Sequence, residues 1–324
     1  MPLVSVAVTV YQHAAFIENC LEGILAQEMS DLEILIGEDG STDGSRDICQ
    51  RYADSYPDRI RLFLFDRSDV IHIMGRPTGR ANTIKLYQAA RGRYIAKCDG
   101  DDHWCDTRKL SDQIDLLEKD PGLSASFTNA YNRSEHHRSS YHPVGRIFPK
   151  GDRIDLSDII KGVGIPTSTL VLRKDAMLPI PSELFTAPAG DVVQFIHLAR
   201  QGDIGYIDRH TTVRMIHPGG IHSMTSDLHK WKFQLSMIPY YYNMCPAELH
   251  QAISKRHVAI LENLWDLAAR SKKFGLARKC WWEIRRQKDL IKWDVAQWRR
   301  SFVISHFPWI IPLFHRSKKK PQQV

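Results

Sequence analysis

The chain has 324 residues, 43% of them hydrophobic and 25% charged, with a formal net charge of +7. This suits a large globular α/β domain with an appendage and excludes a disordered or fibrous polypeptide. Six scattered cysteines without a C-x-x-C pair exclude a disulfide framework and a cysteine zinc site; no apolar run reaches the length of a membrane-spanning helix, and a first strand entered at residue 3 makes a signal peptide unexpected.

In chain order, residues 3–9 read as a strand. Phe16, Ile17, Cys20, Leu21, Ile24 and Leu25 recur at helical spacing and predict a helix over 15–27. Strand 32–37 follows, then helix 45–56 capped by Asp43 or Ser45, strand 60–65, a long connection over 66–79, helix 80–91, strand 94–98, helix 110–119 and strand 123–128. This alternation implies right-handed crossovers and a doubly wound, mainly parallel sheet with helices on both faces. Residues 132–153, rich in His, Arg, Ser and Pro, read as a loop or insertion; 154–216 mix short helix and strand. From 226 onward the pattern is mostly helical. The expected division is a catalytic body over 1–225, with halves 1–131 and 132–225, and a helical region over 226–324.

The charge is uneven. Fifteen Lys and Arg stand against three acidic residues between Arg270 and Lys320, a balance of +12 that leaves the remainder at −5. The same tail holds Trp281, Trp282, Trp293, Trp298 and Trp309, five of the eight tryptophans, and the apolar stretch Phe302 to Phe314. Basic residues interleaved with tryptophan suit an anionic membrane surface, which predicts a cytoplasmic protein peripheral on the inner face of the membrane. The competing reading is a helical subdomain whose tryptophans pack inward while its basic face is solvated. Nucleic acid is not an expected partner, because no recognised module accompanies the charge.

Two of the predicted strands end in carboxylates beside a glycine: Glu38-Asp39-Gly40-Ser41-Thr42-Asp43 after the second, and Asp99-Gly100-Asp101-Asp102 after 94–98. Ligands bind outside the carboxyl ends of strands in open α/β sheets. Hard divalent cations take oxygen ligands and share them with substrate phosphates, so these clusters fit a metal–phosphate substrate.

These segments, with Pro2 to Tyr11 and with the Gly79-Arg80-Ala81-Asn82 helix start followed by Ala90, Gly92 and Tyr94, cover roughly residues 2 to 131. In that order and spacing they resemble family 2 of the inverting, nucleotide-sugar-dependent glycosyltransferases, which have the GT-A fold. The resemblance implies a sugar carried on a nucleotide diphosphate, uridine-linked, and its transfer to a hydroxyl of a glycan or lipid-linked saccharide acceptor with Mn²⁺ or Mg²⁺. It places Thr9 and Tyr11 around the base, Asp39 on the base with Glu38 where the family has Asp, Arg80 and Asn82 near the pyrophosphate, and Asp99 toward the ribose. Asp101 or Asp102 then binds the metal, with His217 or His222, in the Val213 to Ser223 segment, on a phosphate or in the metal shell. The family's catalytic base stands in a Glu-Asp pair at a helix start. Gly190-Asp191 is the matching context here, which makes Asp191 the base ahead of Asp175 or Asp203. Lys85 stands where many relatives have glycine, and the Gln-x-x-Arg-Trp motif of processive synthases is absent. The alternatives are a sugar-1-phosphate nucleotidyltransferase, whose phosphate loop after the first strand is missing here, and a catalytically inactive family member acting as a membrane-surface scaffold.

Overall fold

The structure is a computed structural model that describes residues 1–134, 141–143, 152–218, 226–287, 289 and 295–306. It forms two compact units, Met1–Ser223 and Met224–Val324.

The first unit begins β1 (Val4–Val10), α1 (Ile17–Leu25), β2 (Leu32–Glu38), α2 (Ser45–Ser55) and β3 (Ile60–Leu64). A small hairpin of β4 (Ile71–Ile73) and β5 (Arg76–Thr78) precedes α3 (Arg80–Ala89), β6 (Tyr94–Asp99), β7 (His103–Trp104), α4 (Lys109–Lys119) and β8 (Leu123–Ser134). Then come β9 (Tyr141–Pro143), β10 (Arg153–Ile154), α5 (Leu156–Lys161), β11 (Val171–Arg173), α6 (Lys174–Met177), α7 (Gly190–Gln201) and β12 (Asp203–Ile216). The main sheet has the order β10-β12-β8-β11-β6-β1-β2-β3. Strands β6, β1, β2 and β3 are parallel, β8 and β12 are parallel to each other, and β11 is antiparallel to both of its neighbours. The mainly parallel, helix-covered sheet read from the sequence is therefore present.

Period two explains its layers. Val4, Val6, Val8 and Val10 of β1, with Tyr94, Ala96 and Cys98 of β6, pack on Ile17, Leu21 and Ile24 of α1 and on Leu110, Ile114 and Leu117 of α4. The alternate residues, Thr9, Lys97 and Asp99 among them, face the other side of the sheet. Being buried on both faces makes β1 and β2 nearly continuous apolar runs.

Two expectations need correction. Helix α2 is capped by Gly44 in the left-handed region (φ 98°), with no side-chain cap. Asp43 instead accepts hydrogen bonds from Ser45 N and Oγ and from Ala14 N, tying the turn to the end of β1. Residues 132–134 belong to β8, which pairs with β12 as far as Ser134 and Ile216. Its polar end is extended by strand pairing rather than by local apolar pattern.

The second unit comprises α8 (Asp227–Ser236), α9 (Ile238–Met244), α10 (His250–Arg270), α11 (Phe274–Arg286) and α12 (Val295–His306). Leu261 and Leu264 of α10 meet Cys280 and Ile284 of α11, with Trp231, Trp265 and Trp298 packed around them. Trp281 is buried and donates to Ser301 Oγ at 3.0 Å, and Trp265 donates to Ser305 Oγ at 2.7 Å. Trp281 is thus internal and Trp298 partly buried; Trp282 is 48% exposed. Trp293 and Trp309 lie outside the described residues. No helix among the described residues is long and apolar enough to cross a membrane.

Candidate active site

The carboxyl ends of β2, β1 and β6 lie side by side and carry the acidic residues. At the β2 end, Gly40 (φ 75°) makes the turn that an L side chain resists. Asp39 N donates to Val10 O at 3.0 Å, and Asp39 Oδ2 accepts from Arg67 Nη1 at 2.8 Å. Burial raises the Asp39 carboxyl, while the Arg67 charge and hydrogen bond pull it back. The same guanidinium lies 3.8 Å from the centroid of the Tyr11 ring, so Asp39, Arg67 and Tyr11 form one cluster. Beside it a depression of about 400 Å³ is lined by Gly40, Arg46, Leu64, Phe65, Asp66 and Arg67. Glu38, expected on the nucleotide, is fully buried instead: it accepts from Arg46 Nε at 2.6 Å and from Ser41 N at 2.5 Å. Its longer arm reaches back to hold the turn.

At the β6 end, Asp99 accepts from Thr9 Oγ1 at 3.0 Å and Thr167 Oγ1 at 3.1 Å, and pairs with Lys97 Nζ at 3.0 Å. Burial pushes its carboxyl up, but Lys97 and these hydroxyls outweigh that and hold it down at about 2. Lys97 is held above the ordinary lysine value: burial opposes its charge, while Asp99, the Tyr87 phenol and Asp191 favour it. Asp191, in the first turn of α7, is thereby brought within electrostatic range of the acidic strand end.

The two remaining aspartates separate. Asp102 is buried; its carboxylate accepts from Ser168 Oγ at 2.5 Å and from Met215 N at 3.1 Å. Burial and its repulsion from Asp101 and Asp99 raise its pKa. It ties the turn after β6 to Ser168 and to β12. Asp101 Oδ2 instead lies 3.1 Å from His217 Nε2 and 4.0 Å from His13 Nε2. His217 rests against the Phe16 ring at 4.8 Å. Beyond Asp101 a cavity of about 220 Å³ opens between Phe16, Asn19, His103, Arg133 and Met215. His222, the other histidine of the expected metal shell, lies outside the described residues.

Among the described residues no three His, Cys, Asp or Glu side chains converge into a self-sufficient metal site. The residues fit a different kind of cation site. Asp101 and His217 would supply two donors and leave the remaining positions to phosphate oxygens and water, as suits Mg²⁺ or Mn²⁺ shared with substrate.

Arg80 and Asn82, expected near the pyrophosphate, both have partners within the protein. Arg80 Nη1 donates to Leu184 O at 3.1 Å and Ala187 O at 2.6 Å, and Nη2 to Pro188 O at 3.0 Å. The guanidinium clamps the turn that starts α7. Asn82 is buried and donates to Gly37 O at 2.6 Å, fastening α3 to β2. Lys85, the departure from relatives, pairs with Asp69 at 2.7 Å. Sequence reasoning missed Arg67, Lys97 and the Thr167-Ser168 pair. Their only signal was polar character beside apolar runs, which is common in any loop.

A mainly parallel sheet of this kind, with a helical region after it, is the fold of the GT-A glycosyltransferases. The chain belongs to glycosyl transferase family 2, whose model matches residues 5–177, more than half of its length. WfaP of Escherichia coli, a UDP-Glc:α-D-GlcNAc-diphosphoundecaprenol β-1,3-glucosyltransferase, is 29% identical over 174 residues, covering 54% of this chain and 62% of WfaP. Among solved structures, S. aureus TarS 1–349 in complex with UDP-GlcNAc superposes with a TM-score of 0.61 at 14% identity, over 88% of this chain and 80% of that one. The mannosyltransferase PcManGT of Pyrobaculum calidifontis, in complex with GDP-Man and Mn²⁺, gives 0.55 at 16% identity, over 98% and 88%. The chain spans between 37% and 62% of the length of the first curated relatives it matches.

Proposed function

We propose that this protein transfers a sugar, with inversion, from a uridine diphosphate sugar to a hydroxyl of a glycan or lipid-linked saccharide, in a reaction dependent on Mn²⁺ or Mg²⁺. The observation that carries this reading is the convergence of Asp39, Asp99 and Asp101 at neighbouring parallel strand ends, with His217 against Asp101. Tyr11 offers a face for the base and Asp39 an acceptor for an imide N–H. Asp99 stays ionised and presents oxygens that only accept, which suits ribose hydroxyls. A divalent cation held by Asp101 and His217 would neutralise charge on the departing diphosphate.

Asp191 is the base in this scheme. It takes the proton of the acceptor hydroxyl as that oxygen bonds to the anomeric carbon and the carbon–phosphate oxygen bond breaks on the opposite side. Lys97, paired with Asp99 at 3.0 Å, keeps that carboxylate charged. The undecaprenol-linked acceptor of WfaP and the UDP-sugar bound by TarS support the donor and acceptor classes.

The test is release of nucleoside diphosphate from a panel of sugar nucleotides with a glycan or lipid-linked acceptor present, with and without EDTA. Release from a UDP-sugar that stops with EDTA and returns with Mn²⁺ is expected. Formation of nucleoside triphosphate and sugar 1-phosphate when pyrophosphate is supplied instead would mean nucleotidyl transfer, and full activity in chelator would refute the cation role. Asp101→Asn is expected to cost about a hundredfold or more in rate.

A further inference from the structure

Helix α11 buries one side and bares the other. Ala277, Cys280, Trp281 and Ile284 are buried. At about 100° per residue, Arg278, Lys279, Trp282, Arg285 and Arg286 fall on one arc of roughly 120°, and all five are exposed. That arc contains no acidic residue. Glu283 sits at its edge and is engaged by Arg286 at 2.6 Å. Lys272 and Lys273, exposed in the preceding turn, extend the positive charge. Neighbouring indoles are treated in opposite ways: Trp281 is 4% exposed and bonded to Ser301, whereas Trp282 is 48% exposed at the centre of the cationic arc.

We propose that this face of α11 docks onto an anionic phospholipid surface, its arginines and lysines on lipid phosphates and the Trp282 ring in the headgroup layer. Charge complementarity selects the occupant. Cations on a helix face are drawn to anionic lipid, and an indole with an apolar body and a polar N–H favours the membrane interface over either water or hydrocarbon. The arc belongs to a folded helix whose other side is already packed, so binding needs no rearrangement of the unit. The proposal narrows the membrane surface read from the whole basic tail to one helix face. It is also independent of the donor chemistry: the enzyme reading and this one can fail separately.

The test is co-sedimentation of the full chain with vesicles of phosphatidylglycerol and phosphatidylcholine, and with phosphatidylcholine alone, at low and high salt. Binding to the anionic vesicles only, weakened by salt, is expected. Arg278→Glu with Arg285→Glu should reduce the partition coefficient by about tenfold or more, and Trp282→Ala by about threefold or more. Both sites are exposed, so circular dichroism and thermal melts should match wild type. Should the charge reversal unfold the unit, Arg278→Gln with Arg285→Gln carries the same test. Equal binding to both vesicle types, undiminished binding of the folded variants, or binding to a duplex DNA fragment without any vesicle binding would each overturn the proposal.

Discussion

Lys109, in the first turn of α4, has no exposed surface. Its Nζ donates to Gln113 Oε1 at 2.7 Å and to Thr169 O at 3.3 Å, and lies 4.3 Å from the Trp104 ring centroid. Burial drives its pKa down to about 7. In the unfolded chain the same group titrates at about 10.4. The unfolded state therefore holds more protons between about pH 7 and about 10.4, so stability rises with pH across that window and is independent of this group below it. At about 1.4 kcal/mol per pKa unit, the buried ammonium costs roughly 5 kcal/mol below pH 7. Lys109→Met removes that cost and conserves most of the volume. It leaves Gln113 Oε1 without its donor, a loss of about 1–3 kcal/mol, while Thr169 O keeps the bond from Gln113 Nε2 at 3.0 Å. The expected balance is a gain of roughly 2–4 kcal/mol at about pH 6.5, shrinking as pH rises and reversing between about pH 8.5 and about pH 10. Urea titrations of both proteins at about pH 6.5 and about pH 9.5 measure it, the difference between them cancelling other titrating groups. A Met variant less stable than wild type at the lower pH would refute the reasoning. It would mean that Gln113, Thr169 and the Trp104 ring hold the charged ammonium as well as water does.

Three further outcomes follow from the site and the second unit. Asp191→Asn should leave calorimetric affinity for UDP within about twofold and lower turnover by about a hundredfold or more; wild-type turnover would make Asp191 merely the start of a helix. Arg80→Met should release the turn before α7 and cut kcat by about tenfold or more at unchanged UDP affinity, whereas lost affinity at unchanged kcat would return Arg80 to the diphosphate. Deleting residues 270–324 removes Cys280 and Ile284 from the core they share with Leu261 and Leu264. A cost of about 2–5 kcal/mol for each large side chain lost predicts that α8–α10 become protease-sensitive, and an unchanged helical melt would contradict that packing.

The alternation of strands and helices was legible because buried parallel strands are apolar throughout and amphipathic helices repeat every three to four residues. Hence β1, β2, β6 and α1 came within two residues of their observed bounds. The polar ends of β8 and β12 were not legible, since their partners lie about 80 residues apart and neither stretch has an apolar period. Nor was the tail's division of labour: Trp281 and Trp282 are adjacent and chemically identical, and only the direction of α11 against α10 and α12 decides which is buried.

By itself the sequence determined which residue types stand at the strand ends, because a short apolar strand must stop where glycine and carboxylates begin. It could not determine where those carboxylates point. Asp101 and Asp102 are neighbours, yet one meets His217 and the other meets Ser168 and the Met215 amide. Arg80 carries the charge a diphosphate wants but spends its donors on three carbonyls of a turn about a hundred residues away. Direction and partner at these positions come from long-range packing of β11, β12 and α7 against β6 and α3, which fixes side-chain rotamers through contacts that no local pattern encodes.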